Sequence, residues 1–505
     1  MGKKDITDMR GTIEFLRSQE GELLVAKDPV DPVLEVAGIQ VALEEGPAIF
    51  FEKMKGYPGM RSVGNIFSRR DRIAKLFDVD NWKELKWKCL DAIKKPLPPT
   101  VVENAPCQEV VYTGKDIDVL SFLPVLKHTT RDGARVMGSG NILICDEWAR
   151  GGKEFSYKRM HFRGKDWGSI TSSPATHTEA IIFMDHRTEN VPVTINICNP
   201  PAAMMVAAAG GVHSIIPLGT DEIAIAGALQ GSPIEITKAK TIDAYSIAKA
   251  EIVIEGYWTT EKIWETEEAE KDGRQDVVPF FPEWTGYLGK TWKSRKFQIT
   301  AITHRKDPIY YNQLAASYDG EFNSFDLREA MFYELADRLV PGLVVDVHHP
   351  FALRFWGGVI YQVKKRRPRD EGYQRNLLIN TLGAAPGIRL VIVVDEDVDL
   401  YSMDDVMWAI MSRAEPATDF LRGAMGSRGV AAQPGEQATL LEAGGFGGGL
   451  GIDATVPFLE KWRFERAHYP SDMVDLKKWF NQEDIDKAKA QQGDYAKILA
   501  EFGWG

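Results

Sequence analysis

Polar and apolar positions along the chain follow two different periods. Asp8–Ser18 and Asp31–Leu43 carry apolar residues at helical spacing, and Pro47–Phe51 reads as a short strand, so the N-terminal part predicts an α/β unit. Lys95-Pro96-Leu97-Pro98-Pro99-Thr100 has prolines and no apolar period, which predicts a linker or an extended arm. Beyond Glu109 the pattern changes to short apolar runs punctuated by Gly, Pro and Asp: Asn141–Cys145, Ala180–Met184, Val193–Ile197 and Ala250–Glu255. These predict a β-rich sheet or barrel, interrupted by helices at Pro201–Ala209 and Asp221–Leu229. Phe325–Leu335 returns to helical spacing. Gly342–Val347, Gly358–Val363 and Leu390–Val394 then read as strands of a second α/β unit, since an unbroken aliphatic run suits a strand buried on both faces. The expected division is an N-terminal α/β domain over residues 1–108, a barrel over 109–310, a linking helix over 311–340, a C-terminal α/β domain over 341–470 and a charged helical tail over 471–505.

Composition narrows the function. A chain of 505 residues predicts two to four packed units. With 61 Lys and Arg against 72 Asp and Glu, the net charge of −11 leaves no global positive field to hold a nucleic acid. The four cysteines, Cys89, Cys107, Cys145 and Cys198, form no CxxC pair, which argues against a cysteine zinc site and for a reducing compartment. Met1-Gly2-Lys3-Lys4-Asp5 opens no apolar stretch, so no secretory signal is read and a cytoplasmic location is expected. Val191–Thr220 has no charged residue, yet Pro192, Pro200, Pro201 and Pro217 would leave broken backbone in lipid, so buried structure rather than a membrane span is expected.

Zincin, P-loop and nucleophile-elbow motifs are absent from the sequence. The run Gly444–Gly451 reads equally as backbone that approaches an anion or as a surface flap. Asp395-Glu396-Asp397-Val398-Asp399 follows a buried strand, where a ligand site or an acidic loop capping the next helix are the alternatives. Glu251 and Glu255 alternate with aliphatics and are expected on one solvent face. Lys364–Arg369 is expected to be a solvated loop or a subunit contact, with an anion patch as the alternative. Glu283 lies within Pro279-Phe280-Phe281-Pro282-Glu283-Trp284-Thr285-Gly286-Tyr287, a surround that would desolvate its carboxyl and raise its pKa, which makes it the first candidate for proton transfer; an exposed glutamate beside core aromatics is the other reading.

Val393-Val394-Asp395-Glu396-Asp397-Val398-Asp399-Leu400-Tyr401, continuing through Asp405-Val406-Met407-Trp408-Ala409 and Arg413-Ala414-Glu415-Pro416, resembles the signature of the UbiD family of flavin-dependent decarboxylases. Ala250–Tyr257, Glu283–Tyr287 and Gly451–Thr455 match further family segments in the same order. The resemblance implies an N-terminal α/β part, a central split β-barrel of flavin-reductase type and a C-terminal α/β domain that dimerises. It implies prenylated FMN made by a partner flavin prenyltransferase, its phosphate held through a divalent metal such as Mn2+ and a monovalent cation such as K+. The family's metal ligands, Asn, His and Glu, fall on Glu154, His177 and Glu222, so a carboxylate replaces the amide. Ser156, Tyr157, Lys158, Arg159, Thr176, His177, Pro217 and Glu222 fall where cofactor contacts are implied.

The family also uses a Glu-Arg-Glu constellation. Arg159 and Glu283 match its Arg and second Glu, but Val278 stands where the first Glu is implied and Asp276 is the nearest acid, which would leave Arg159 short of a partner. A Lys implied just before Gly451–Thr455 is absent as well, its place held by Gly449 or Leu450. The implied activity is reversible non-oxidative decarboxylation of an aromatic or α,β-unsaturated acid, that is, a carboxy-lyase releasing CO2. Carboxylation of an aromatic ring, decarboxylation of an activated aryl thioester or phosphate ester, and an inactive scaffold subunit of a carboxylase complex are the alternatives. A homodimer or homohexamer is implied, with neither nucleic acid nor membrane as partner.

Overall fold

The computed structural model describes residues 4–172, 176–210, 212–273, 281–385, 387–422, 449–467, 469–470 and 473–493. Two compact units meet in the sequence at Ala330 and Met331.

The first unit opens with the helix Met9–Arg17. Asp8 caps it by accepting from the Gly11 amide at 2.7 Å, and Met9, Ile13 and Leu16 form its buried stripe. Strands Leu23–Ala26, Ala48–Phe51, Arg61–Gly64 and Ile309–Tyr311 pair in that order as a small sheet, so the chain returns to the N-terminal layer after the barrel is complete.

Six antiparallel strands make the barrel: Ile252–Trp264, Val191–Ile197, Met137–Asp146, Gly152–Phe162, Trp167–Thr171 and Lys293–His304, in spatial order. Pairing of the last with Ile252–Trp264 closes the ring and leaves none of the six with a free edge. Val110–Thr113 extends it from outside on Lys293–His304. Helices Pro201–Ala209 and Glu222–Gln230 pack on the strand Gly152–Phe162. Every residue of the first is buried, which explains its wholly apolar composition. The second is capped by Asp221, which accepts from the Ala224 amide at 3.0 Å, and ends at Gly231 in the left-handed region at φ 82°.

Two expectations fail here. Ala180–Met184 is helical, not a strand: Thr176 accepts from the Glu179 amide and starts a helix that runs on to Asp185, and the barrel position goes to Val191–Ile197 instead. Glu251 and Glu255 are wholly buried rather than solvent-facing. Arg10 holds Glu251 with two parallel hydrogen bonds at 2.7 and 2.8 Å, while Glu255 accepts from the amides of Lys240 and Thr241, both at 2.8 Å.

In the second unit the strands are ordered Val344–His348, Gly358–Val363, Leu390–Asp395, Leu450–Ala454 and Phe420–Arg422, the central three parallel. Ile360, Ile392, Val394, Val406 and Ile452 share its core. The acidic run serves this fold: Asp395 and Asp397 both pair with buried Arg413, and Asp395 also accepts from the Val456 amide at 2.7 Å. The helix Met403–Arg413 is capped by Ser402 rather than by the run itself. Lys365 departs from the expected solvated loop, being buried and donating to Thr455 Oγ1 at 3.0 Å and the Val456 carbonyl at 2.6 Å. All four cysteines are buried and free. No helix among the described residues is long and apolar enough to cross a membrane. Gly444–Gly448 and the segment 502–505 lie outside the described residues.

Candidate active site

Alternation along the strand Gly152–Phe162 sends Glu154, Ser156 and Lys158 to one face and Phe155, Tyr157, Arg159 and His161 to the other. Each face carries a polar cluster.

On the first face, Glu154, His177 and Glu222 each present a ligand atom, all within 4.8 Å of one another. Glu154 comes from the strand, His177 from the first turn after Thr176, and Glu222 from the first turn of its helix, where its Oε2 accepts from the Phe155 amide at 2.7 Å. His177 Nδ1 lies 3.2 Å from Glu154 and 3.7 Å from Glu222, and its ring lies against that of His213, tilted by 39° with centroids 4.3 Å apart. Burial disfavours the His177 imidazolium, but the two carboxylates outweigh it and hold its pKa at about 9. Burial and the adjacent Glu154 charge push Glu222 up to about 7. Burial opposes the Glu154 charge too, yet His177 and Lys158 hold its pKa below the usual range. Two carboxylates and an imidazole with its Nε2 buried and unpartnered make a donor set suited to a divalent cation.

Thr178 Oγ1 and Ser156 Oγ both donate to Glu154 Oε1 at 3.0 Å, and Lys158 Nζ donates to Ser156 Oγ at 2.8 Å. The Lys158 side chain is buried, which lowers its pKa against the opposing pull of Glu154 and Glu222. A buried ammonium beside a metal-capable triad fits an anionic group such as a phosphate.

On the second face stands Arg159. Its Nε and Nη2 donate to the two oxygens of Glu265 at 3.1 and 3.0 Å, and its Nη1 donates to Glu283 Oε1 at 2.6 Å. Glu265, at the end of the strand Ile252–Trp264, also accepts from Thr171 Oγ1 and from the Trp292 amide at 2.8 Å. Burial raises its pKa, against the pull of Arg159. The side chain of Glu265 is 1% exposed and that of Glu283 is 18% exposed, so the first is a buried anchor and the second is partly accessible. The anticipated shortage of partners for Arg159 is therefore absent. A residue that the sequence reading passed over fills the place, while Val278 and Asp276 lie outside the described residues. The only sequence signal of Glu265 is an acid directly after a strand and just before Thr266, the cap of the next helix, a pattern that does not by itself point to Arg159.

Glu283 is presented by a tight turn in which its amide bonds the Tyr287 carbonyl at 2.8 Å, and the Gly289 amide bonds the Phe281 carbonyl at 2.7 Å. Phe281 is buried against Val136 and meets the His128 ring edge-on, with centroids 5.0 Å apart. His161, two places beyond Arg159 on the same strand, bonds the Arg135 carbonyl at 2.8 Å, and burial lowers its pKa to about 4.

The remaining sequence candidates divide. The Tyr157 hydroxyl is buried towards Asn141 and Asn323, away from the Glu154 face, and burial pushes its pKa up. Thr176 spends its hydroxyl on the Glu179 cap, and Pro217 is exposed in a turn, its carbonyl accepting from Thr220.

Comparison with known proteins agrees along nearly the whole chain. Residues 13–87, 100–317 and 326–454 match the N-terminal, Rift-related and C-terminal domains of 3-octaprenyl-4-hydroxybenzoate carboxy-lyase, UbiD. The chain is 28% identical over 486 residues to a gallate decarboxylase of Lactiplantibacillus plantarum, covering 92% of this chain and 96% of that protein. It superposes on the apo structure of 3,4-dihydroxybenzoic acid decarboxylase from Enterobacter cloacae with TM-score 0.80 and 28% identity, over 95% and 99% of the two chains. With the UbiD-class enzyme HmfF from Pelotomaculum thermopropionicum in complex with FMN, the TM-score is 0.79 and the identity 25%, over 94% and 100%.

Proposed function

The chain belongs to the UbiD family of carboxy-lyases, and from that premise we propose that it catalyses reversible, non-oxidative decarboxylation of an aromatic or α,β-unsaturated carboxylic acid with prenylated FMN. The observation that supports this most directly is the buried array Glu265–Arg159–Glu283, a cation held rigidly on one side and facing a partly open carboxyl on the other.

When bound, prenylated FMN supplies the electron sink that carbon–carbon cleavage needs. Glu154, His177 and Glu222 are the residues that would hold a divalent cation such as Mn2+ at its phosphate, with a monovalent cation such as K+ nearby, and Lys158 and Ser156 face the same anion. Arg159 orients the substrate. Its Nε–Nη2 edge is occupied by Glu265 and its Nη1 donates to Glu283, so the substrate carboxylate would meet the guanidinium beside Glu283 rather than at a free bidentate fork. Glu283 holds a proton and delivers it to the substrate carbon once CO2 has left; in the carboxylation direction it takes the proton away. Phe281, buried against Val136, anchors the turn that presents Glu283.

A flavin prenyltransferase supplies the cofactor on this reading, and the assembly is a homo-oligomer, homodimer or homohexamer, located in the cytoplasm. Support for assembly comes from large exposed side chains on the second unit, among them Met411 and Trp462, both 75% exposed. Co-expression with a flavin prenyltransferase, followed by a UV-visible spectrum and mass analysis of the released ligand, tests the cofactor. Recovery of prenylated FMN together with exchange of labelled CO2 into an aromatic acid is the expected result, and a folded protein without any flavin would refute the proposal.

A further inference from the structure

Lys158 is a buried cation whose own neighbourhood does not neutralise it. Among the described residues its ammonium makes one hydrogen bond, to the neutral Ser156 hydroxyl at 2.8 Å, and no ion pair within 4.0 Å. Two of its three N–H donors are left for something else. Burying an ammonium without a partner is costly, so the arrangement makes sense when an anion arrives. The Glu154 carboxylate is one hydroxyl away along the same strand face: Lys158 Nζ donates to Ser156 Oγ, which donates to Glu154 Oε1 at 3.0 Å.

Charge counting shows what the pair does. A divalent cation in the triad, with both carboxylates ionised and His177 neutral, sums to zero. Adding Lys158 makes the pocket one unit more positive and strengthens its pull on an anion, offsetting the charge that the second ligating carboxylate brings.

We propose that Lys158 is the residue that receives the phosphate of the flavin, and that it is matched to Glu154, so that the pocket can carry two ligating carboxylates and still bind an anion. This rests on the flavin reading above. The cation that the sequence lacks before Gly451 is thereby supplied from the barrel strand. Lys158 attracts the anion and repels the metal, whereas Glu154 does the reverse, so the two residues have opposite effects on each ligand.

The test uses the full chain free of flavin and loaded with Mn2+, titrated with FMN and, separately, with riboflavin, which has the same ring system but no phosphate. Binding is followed by flavin fluorescence, and Mn2+ affinity by paramagnetic resonance. Lys158→Met is expected to weaken FMN at least 10-fold, to leave riboflavin within about twofold, and to leave Mn2+ affinity unchanged or tighter. Lys158→Arg is expected to recover most of the FMN affinity, and Glu154→Gln to weaken Mn2+. A Lys158→Met protein that binds FMN as the parent does, or that loses FMN and riboflavin equally, would overturn the assignment while leaving the flavin reading in place. A parent protein that binds neither flavin would overturn the flavin reading, and this inference with it.

Discussion

Arg159 and Glu265 face each other through two parallel hydrogen bonds of 3.1 and 3.0 Å, a paired geometry that fixes the guanidinium plane as well as its position. Glu283 meets the same guanidinium from the other side, so its carboxyl group is positioned by a cation that is itself positioned by a second carboxyl group.

Replacing Glu265 by Gln keeps the side-chain shape and removes the charge. Arg159 then loses its fixed partner and its plane drifts. We expect kcat to fall on the order of 10²-fold with a smaller change in KM, because misplacement of an orienting group by about 1 Å has that scale of effect. Unchanged kcat in steady-state decarboxylation would show that Glu265 is merely packed against the site.

For Glu283→Gln the loss is of the proton itself. Net decarboxylation should fall ~10²- to 10⁴-fold while cofactor content is retained, since one positioned acid contributes about that much. Solvent deuterium appearing in the product at the parental rate would exclude Glu283 as the donor.

Metal uptake should release protons. Without metal, His177 is held protonated up to a pKa of about 9, and a ligating imidazole must be neutral. Mn2+ affinity is therefore expected to rise with pH up to that value, and calorimetry in buffers of different ionisation enthalpy reads the proton release directly. Glu222→Gln should weaken Mn2+ at least 10-fold.

His161 gives the fold an acid-side weakness. Its pKa is lowered by burial from 6.5 to about 4, so as pH falls through 6.5 the unfolded chain takes up a proton that the folded chain refuses until about pH 4. Stability is complete above pH 6.5 and falls below it, with a limiting slope of about 1.4 kcal/mol per pH unit from this group. His161→Asn, which keeps a donor for the Arg135 carbonyl, should flatten the urea-unfolding profile between pH 6.5 and 4.

In the second unit, Arg413→Ala leaves Asp395 and Asp397 buried without their cation. A loss of about 3–5 kcal/mol is expected in denaturant unfolding.

The elements were largely legible because their periodicity is strong: Met9–Arg17, Pro201–Ala209 and Gly358–Val363 lie where the apolar spacing puts them. Ala180–Met184 misled because a short aliphatic run satisfies a strand or a buried helix equally, and the deciding Thr176 cap is a single hydroxyl. Glu251 and Glu255 misled because alternation identifies a face without saying what covers it, and here Arg10 and the Lys240–Thr241 backbone do. Arg159, Glu283 and the Glu154–His177–Glu222 group could be proposed from local resemblance. Glu265 could not, since its meeting with Arg159 depends on how the barrel strands are paired rather than on any spacing in the chain.

Closure of the barrel also sets an order of assembly. Glu154, His177 and Glu222 are all synthesised before the strand Ile252–Trp264, whereas Glu265 and Glu283 lie between the two strands whose pairing seals the ring. A nascent chain emerges first with the three residues that could hold a metal ion, and the ring that frames the Arg159 array closes only when Lys293–His304 has docked, a long-range contact that forms slowly. In the order of synthesis, the three residues that could hold a metal ion are therefore complete before either acid that pairs with Arg159, and the last strand to be made is the one that closes the ring around both groups.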